Sequence, residues 1–69
     1  PVGRGDMIAG DLVFFRLGSS QVNHVGVALD RTRFIHSSTS RGVVIDQLMD
    51  GYFARNLAEV RRVVKIEEN

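Results

Sequence analysis

Residues 24–38, HVGVALDRTRFIHSS, decide the fold, because two short β-type runs flank a tight polar connection. Valine, isoleucine and phenylalanine favour strands, whereas an aspartate such as Asp30 is typical of the turn between two strands. Two strands separated by so few residues pair in antiparallel fashion, as a hairpin. The stretch therefore predicts paired strands at residues 24–29 and 33–37.

The same type of run recurs on both sides of this hairpin, separated by glycine, serine, asparagine and aspartate. Further strands are predicted at residues 11–15, 43–47 and 60–66, with a helical turn at residues 52–58. Five short strands so close together in sequence favour a meander of antiparallel hairpins. We therefore expect one small α+β unit in which the antiparallel sheet dominates.

Alternation gives the second predicted strand two unlike faces. One is an ordinary packing face, made of Val25, Val27 and Leu29. The other is a smooth track of small residues with a histidine at its end, made of His24, Gly26 and Ala28. Small side chains let another element approach closely, and no long amphipathic helix in the sequence fills this track. We therefore expect a helix from outside these residues to pack beside His24.

The chain has 69 residues, with nine basic and eight acidic side chains and no cysteine. This length is enough for one small domain. The cysteine count excludes a disulfide and a thiol nucleophile within these residues. The basic residues are scattered, which argues against a nucleic-acid-binding surface, and no apolar run has membrane-spanning length. Because the sequence starts at Pro1 rather than at methionine, we expect the natural protein to extend upstream.

The two histidines, His24 and His36, are the candidate functional residues. They lie on neighbouring predicted strands. If the connection between these strands has an odd number of residues, the sequence numbers of any two residues paired across the hairpin add up to an even number. Both side chains would then lie on one face, about 4.5 to 8 Å apart at their β-carbons. One ring could act as a general base while the other orients it and selects its tautomer. A third partner, the nucleophile, is not among these residues.

Three other interpretations of the polar residues stand beside this one. A histidine in a small β domain is often a buried, hydrogen-bonded side chain without a chemical role. A two-histidine metal site would need carboxylate ligands such as Asp11 or Asp30, yet no ligand-spacing motif supports one, and we expect neither a metal nor a cofactor. Ser37, Ser38 and Ser40 are better explained by turn formation than by nucleophilic catalysis.

The order and spacing of five segments resemble the NlpC-type peptidoglycan peptidases, cysteine endopeptidases of the papain-like clan. The matching segments are GDLVFF at residues 10–15, HVGVAL at 24–29, FIHSS at 34–38, GVVI at 42–45, and Tyr52 followed by RRV at 61–63. Departures are mild, such as Phe53 where the family often has tryptophan. The resemblance implies that residues 1–69 are the C-terminal, β-sheet portion of a single papain-like domain.

The resemblance also implies roles for both histidines. The histidine that opens the HVG strand is the family's catalytic base, which corresponds to His24, and the histidine of the FIH segment is the polar third member, His36. The family's nucleophile is a cysteine in an Asp-Cys-Ser-Gly motif at the start of a helix, and this sequence has no counterpart to that motif. The N-terminal catalytic helix is therefore expected to lie outside these residues. The implied reaction is hydrolysis of peptidoglycan stem peptides.

Two rival interpretations remain open at this point. The natural protein could have lost its cysteine and bind peptidoglycan or a protein partner without cleaving it. The chain could also be an independent β domain with a superficial likeness to the family.

If the catalytic helix is absent, the sheet face carrying His24, Gly26 and Ala28 should be exposed, and the chain should associate with its missing half or with itself. The family likeness implies a bacterial cell-envelope location, periplasmic or secreted.

Overall fold

A computed structural model describes residues 1–63 and contains a five-stranded antiparallel sheet with one short α-helix. The elements are a 3-10 helix at Arg4–Asp6, β1 at Leu12–Phe15, β2 at His24–Ala28, β3 at Arg33–Ser38, β4 at Gly42–Gln47, α1 at Gly51–Asn56 and β5 at Leu57–Arg61. The first four predicted strands are confirmed to within one residue at each end, and the predicted helical turn is α1. No helix within residues 1–63 is long and apolar enough to cross a membrane.

The strand order is β4-β3-β2-β1-β5, so only the first four strands form the predicted meander. The fifth strand does not continue beside β4 but pairs with the free edge of β1, where Val60 stands opposite Val13. This pairing satisfies backbone groups that a four-stranded meander would leave open on β1. The predicted range of residues 60–66 also starts too late, because β5 follows α1 directly at Leu57. Residues 64–66 of that prediction lie outside the described part of the chain.

One face of the sheet carries the hydrophobic core. Its largest fully buried side chains are Phe15 of β1 and Phe34 of β3, whose ring centroids lie 4.9 Å apart. Phe53 of α1 packs edge-on against both rings, at 5.4 and 5.0 Å. These three aromatic rings supply much of the buried apolar area of a small domain.

The two faces of β2 are the reverse of the prediction. Val25 and Val27 are 48% and 38% exposed, whereas Ala28 is 1% exposed and Gly26 is buried. The prediction was wrong because it considered only the residues of β2 itself. The neighbouring strands place aromatic rings on the Gly26 face, and the ring of Phe34 fills the space that the small residues leave. The expected exposure of this face, and self-association through it, are therefore not supported.

Asp11 joins the beginning of β1 to the residues that follow β5. Asp11 is 1% exposed, and its carboxylate accepts a hydrogen bond from the backbone N–H of Ile8 and forms a bidentate pair with Arg62 at 2.8 and 2.9 Å. Arg62 also donates to the carbonyl of Asp6. Asp11 therefore has a structural role at the start of β1. Arg62 is thus fixed by a specific ion pair.

Replacing Gly26 with alanine should destabilise the fold by about 1–3 kcal/mol, the range for overpacking a core. A β-carbon at position 26 would lie 2.6 Å from Cδ2 of Phe34 and 2.9 Å from the carbonyl oxygen of Ile35. The matched control is Gly5→Ala, because a β-carbon there meets no atom within 4 Å. Urea denaturation compares the two variants, and equal midpoints would contradict the close packing of Phe34 on Gly26.

The Asp11–Arg62 pair should make stability depend on pH in the acid range. The hydrogen bonds from Arg62 and from the backbone of Ile8 lower the pKa of Asp11 from 3.8 to about 2. The folded state therefore favours the carboxylate, and its stabilisation is complete above about pH 4 and lost as the pH falls through about 2. Arg62→Met should weaken this dependence, because the hydrogen bond from Ile8 remains, and should lower the urea midpoint at neutral pH.

The control for this experiment is Arg61→Met, because Arg61 pairs with Glu59 on the surface, where both side chains are exposed. Exposed ion pairs contribute little to stability, so this variant should keep the wild-type pH profile. A series of urea denaturations between pH 2 and 7 decides the matter. Identical profiles for the two arginine variants would show that the Asp11 pair does not stabilise the fold.

Candidate active site

His24 and His36 lie on the same face of the sheet and touch each other. In the β2–β3 register Val27 is opposite Ile35 and Ala28 is opposite Phe34. The numbers of paired residues therefore add up to an even number, and His24 and His36 are diagonal neighbours on one face. Nε2 of His24 is 2.8 Å from Nδ1 of His36, and the two rings are perpendicular. The predicted shared face is confirmed by this hydrogen bond.

Aromatic rings hold both imidazoles in place. Phe34 stacks on His36 with centroids 4.4 Å apart, and Phe53 meets the same imidazole edge-on at 5.0 Å. Phe15 lies 5.9 Å from the ring of His24, opposite it in the β1–β2 ladder. His36 is buried, whereas His24 is partly exposed at the edge of the aromatic cluster. The hydrophobic core therefore orients the site directly.

The surroundings of His24 favour its neutral form. Burial lowers the pKa of His24 below its usual 6.5, and the neighbouring His36 lowers it further. Both causes disfavour a positive charge on the ring. At neutral pH His24 is thus an uncharged imidazole, which is the protonation state a general base requires.

The hydrogen bond to His36 engages only one nitrogen of His24. Nδ1 of His24 has no hydrogen-bond partner within residues 1–63. His24 lines an open pocket of about 270 Å³ whose wall also includes His36, Phe53 and polar residues of the β3–β4 connection. The arrangement places a neutral imidazole, hydrogen-bonded to a buried second imidazole, beside an open pocket.

Sequence analysis missed two residues that extend this pair. Nε2 of His36 is 2.7 Å from Oδ2 of Asp46, and Nη2 of Arg41 donates to the same oxygen. These hydrogen bonds, first that of Arg41 and then that of His36, lower the pKa of Asp46. Asp46 pairs with Phe34 across the β3–β4 ladder and so shares the face of His36. An aspartate inside the otherwise apolar run GVVID was the available signal, because aspartate is depleted in strands.

The other polar residues that the sequence drew attention to do not join the site. Asp30 accepts hydrogen bonds from the backbone of Thr32 and Arg33 in the β2–β3 turn, and Asp11 is occupied by Arg62. Within residues 1–63 no cluster of three metal-ligating side chains occurs. Ser38 accepts a hydrogen bond from the backbone of Arg41, which is the turn role that the sequence predicted.

Comparison with known proteins agrees with this architecture. The sequence model of the NlpC/P60 family matches residues 2–62. A murein DD-endopeptidase/murein LD-carboxypeptidase, MepS, of Escherichia coli is 41% identical over 63 residues, covering 91% of this chain and 33% of the relative. The "probable endopeptidase NlpC" of the same species is 40% identical, covering 90% of this chain and 41% of its own length.

A solved structure has the same fold. The crystal structure of an NlpC/P60 family protein from Bacillus cereus superimposes with a TM-score of 0.75 and 31% identity, over 88% of this chain and 21% of that protein. The chain therefore spans between about a fifth and two fifths of the length of these relatives. The family match covers nearly every residue of the sheet and both histidines, and the chain belongs to the NlpC/P60 family.

Proposed function

We propose that these residues form the histidine-bearing, C-terminal portion of a cysteine peptidase domain that hydrolyses amide bonds in peptidoglycan stem peptides. The hydrogen bond between Nε2 of His24 and Nδ1 of His36 carries this proposal, because it orients one imidazole and leaves its other nitrogen free. The names of the Escherichia coli relatives, a murein endopeptidase and a probable endopeptidase, support the reaction class. Such a substrate implies a bacterial cell-envelope location.

In the proposed mechanism His24 is the general base and acid. Its Nδ1 takes the proton of a cysteine thiol, and the resulting thiolate attacks the carbonyl carbon of the scissile amide. The imidazolium then gives the proton to the departing amine nitrogen, so that the peptide bond breaks and a thioester remains. Water hydrolyses the thioester with His24 again accepting a proton. His36 holds the ring of His24 throughout.

The thiol is supplied by a segment outside residues 1–69, because the sequence contains no cysteine. A cysteine at a helix N-terminus has a lowered pKa, and we propose that such a helix stands against the open pocket beside His24. The pocket wall of His24, His36 and Phe53 supplies the surface for this contact.

His24→Ala should abolish hydrolysis of purified muropeptides by the full-length protein that contains this chain. Loss of a general base typically lowers the rate about 10²- to 10⁴-fold. Gln47→Ala is the matched control, because Gln47 is an exposed polar residue near the end of β4 and outside the pocket. Chromatography of the muropeptide products measures the rates. Full activity of the His24 variant would rule out the proposed role of this residue.

Residues 1–69 alone should not cleave muropeptides, because they carry the base and the orienting group but no nucleophile. The full-length protein should cleave them, and replacement of its nucleophilic cysteine with alanine should stop the reaction. Cleavage by the 69-residue chain would contradict the proposal that a thiol outside these residues is the nucleophile. A full-length protein without a cysteine in the pocket would instead be a peptidoglycan or protein binder.

A further inference from the structure

Four side chains form one continuous hydrogen-bonded row across the face of the sheet. The order is Arg41, Asp46, His36 and His24, with His36 in contact with both Asp46 and His24. His36 uses both ring nitrogens inside this row, and its side chain is only 2% exposed. The side chain of Asp46 is 22% exposed, and its ion pair with Arg41 forms the solvent-exposed end of the row.

The carboxylate of Asp46 fixes the direction of every hydrogen bond in the row. An ionised carboxylate only accepts, so Nε2 of His36 must carry the proton that points at Asp46. In neutral His36 the other nitrogen, Nδ1, is then an acceptor. His24 must therefore donate its own Nε2–H to His36, which leaves Nδ1 of His24 without a proton.

We propose that Asp46 is a positioning residue that acts through His36 to keep the proton of neutral His24 on Nε2 and so leave Nδ1 as the proton acceptor. The proposal rests on the proposed function for its kinetic consequences but not for the proton positions themselves. Arg41 holds the carboxylate in place, because it donates to the same oxygen that His36 contacts.

The opposite direction of the row would disable the site. With the proton of His36 on Nδ1, that nitrogen would donate to Nε2 of His24, and the proton of His24 would move to Nδ1. A general base that carries a proton at the reacting nitrogen cannot accept another. The heavy-atom distances permit either direction, and the oxygen of Asp46 selects between them because it can only accept a hydrogen bond from His36.

Arg41 also keeps Asp46 in the form that the proposal requires. Its hydrogen bond is the largest cause of the lowered pKa of Asp46, ahead of the bond from His36. An ionised Asp46 at neutral pH has no proton to give to His36. Arg41 precedes β4 and Asp46 lies within it, five residues further along the chain, so one hairpin supplies both partners of this ion pair.

The test is a direct measurement of the proton positions in the full-length protein with ¹⁵N-labelled histidine. Two-bond ¹H–¹⁵N correlation spectra identify the protonated nitrogen of each neutral ring. We expect Nε2–H for both His24 and His36 in the wild type. In Asp46→Ala a substantial fraction of His24 should carry its proton on Nδ1, because His36 has lost its acceptor.

Two variants separate positioning from a merely structural role. Asp46→Asn keeps an oxygen at the position to which Arg41 and His36 donate, and it should restore the wild-type proton positions. Asp50→Ala removes an exposed carboxylate that makes no capping hydrogen bond at α1, and it should change nothing. Nδ1–H on His24 of the wild type would overturn the proposal, even if Asp46→Ala failed to fold.

Kinetics with muropeptides supply the second measurement. Asp46→Ala should lower kcat about 10- to 100-fold, the range seen when a metal-bound histidine loses the partner that orients it, while KM stays within about twofold because no substrate contact is removed. Unchanged proton positions in this variant would refute the role of Asp46. A wild-type protein without peptidase activity but with the expected proton positions would refute the proposed function and leave the role of Asp46 standing.

Discussion

The contact between the ring of Phe34 and the backbone of Gly26 is the constraint on which the rest of the structure depends. Because Gly26 of β2 has no side chain, the aromatic ring of Phe34 on β3 approaches the neighbouring strand more closely than a β-carbon would permit. The same ring stacks on His36 and packs against Phe15 and Phe53. One close approach therefore builds the core and determines where the buried imidazole stands. Aromatic rings suit this task because they have few rotatable bonds and a large contact area.

The sequence predicted the strands and the histidine pair well, for reasons that lie in the geometry of a hairpin. Side chains alternate across a strand. His24 and His36, twelve positions apart, therefore share a face when the numbers of residues paired across the hairpin add up to an even number, as they do here. The β2–β3 connection is short and held by Asp30, which accepts from two backbone N–H groups and Thr32. Local chemistry thus fixed the register from which the contact between His24 and His36 follows.

The predictions that were wrong or missing concern features that depend on residues of more than one strand. Which face of β2 is buried depends on aromatic residues of β1 and β3, and the small residues of β2 gave no sign of those partners. The position of β5 beside β1 depends on a non-local pairing that closes an open strand edge. Asp46 was missed because its approach to His36 depends on the β3–β4 register, and the polar loop at residues 39–41 permits several registers when the sequence alone is considered.

The structure gives two chemically identical side chains different capacities. Both ring nitrogens of His36 are engaged, one by His24 and one by Asp46, and the ring is enclosed by Phe34 and Phe53. These hydrogen bonds matter because an unpaired polar group is costly in a buried position. His24 uses one ring nitrogen in the hydrogen bond to His36, and its side chain lines an open pocket. Two side chains of the same type on one face of the sheet therefore differ in burial and hydrogen bonding, and His24 is the one with a ring nitrogen that no group within residues 1–63 engages.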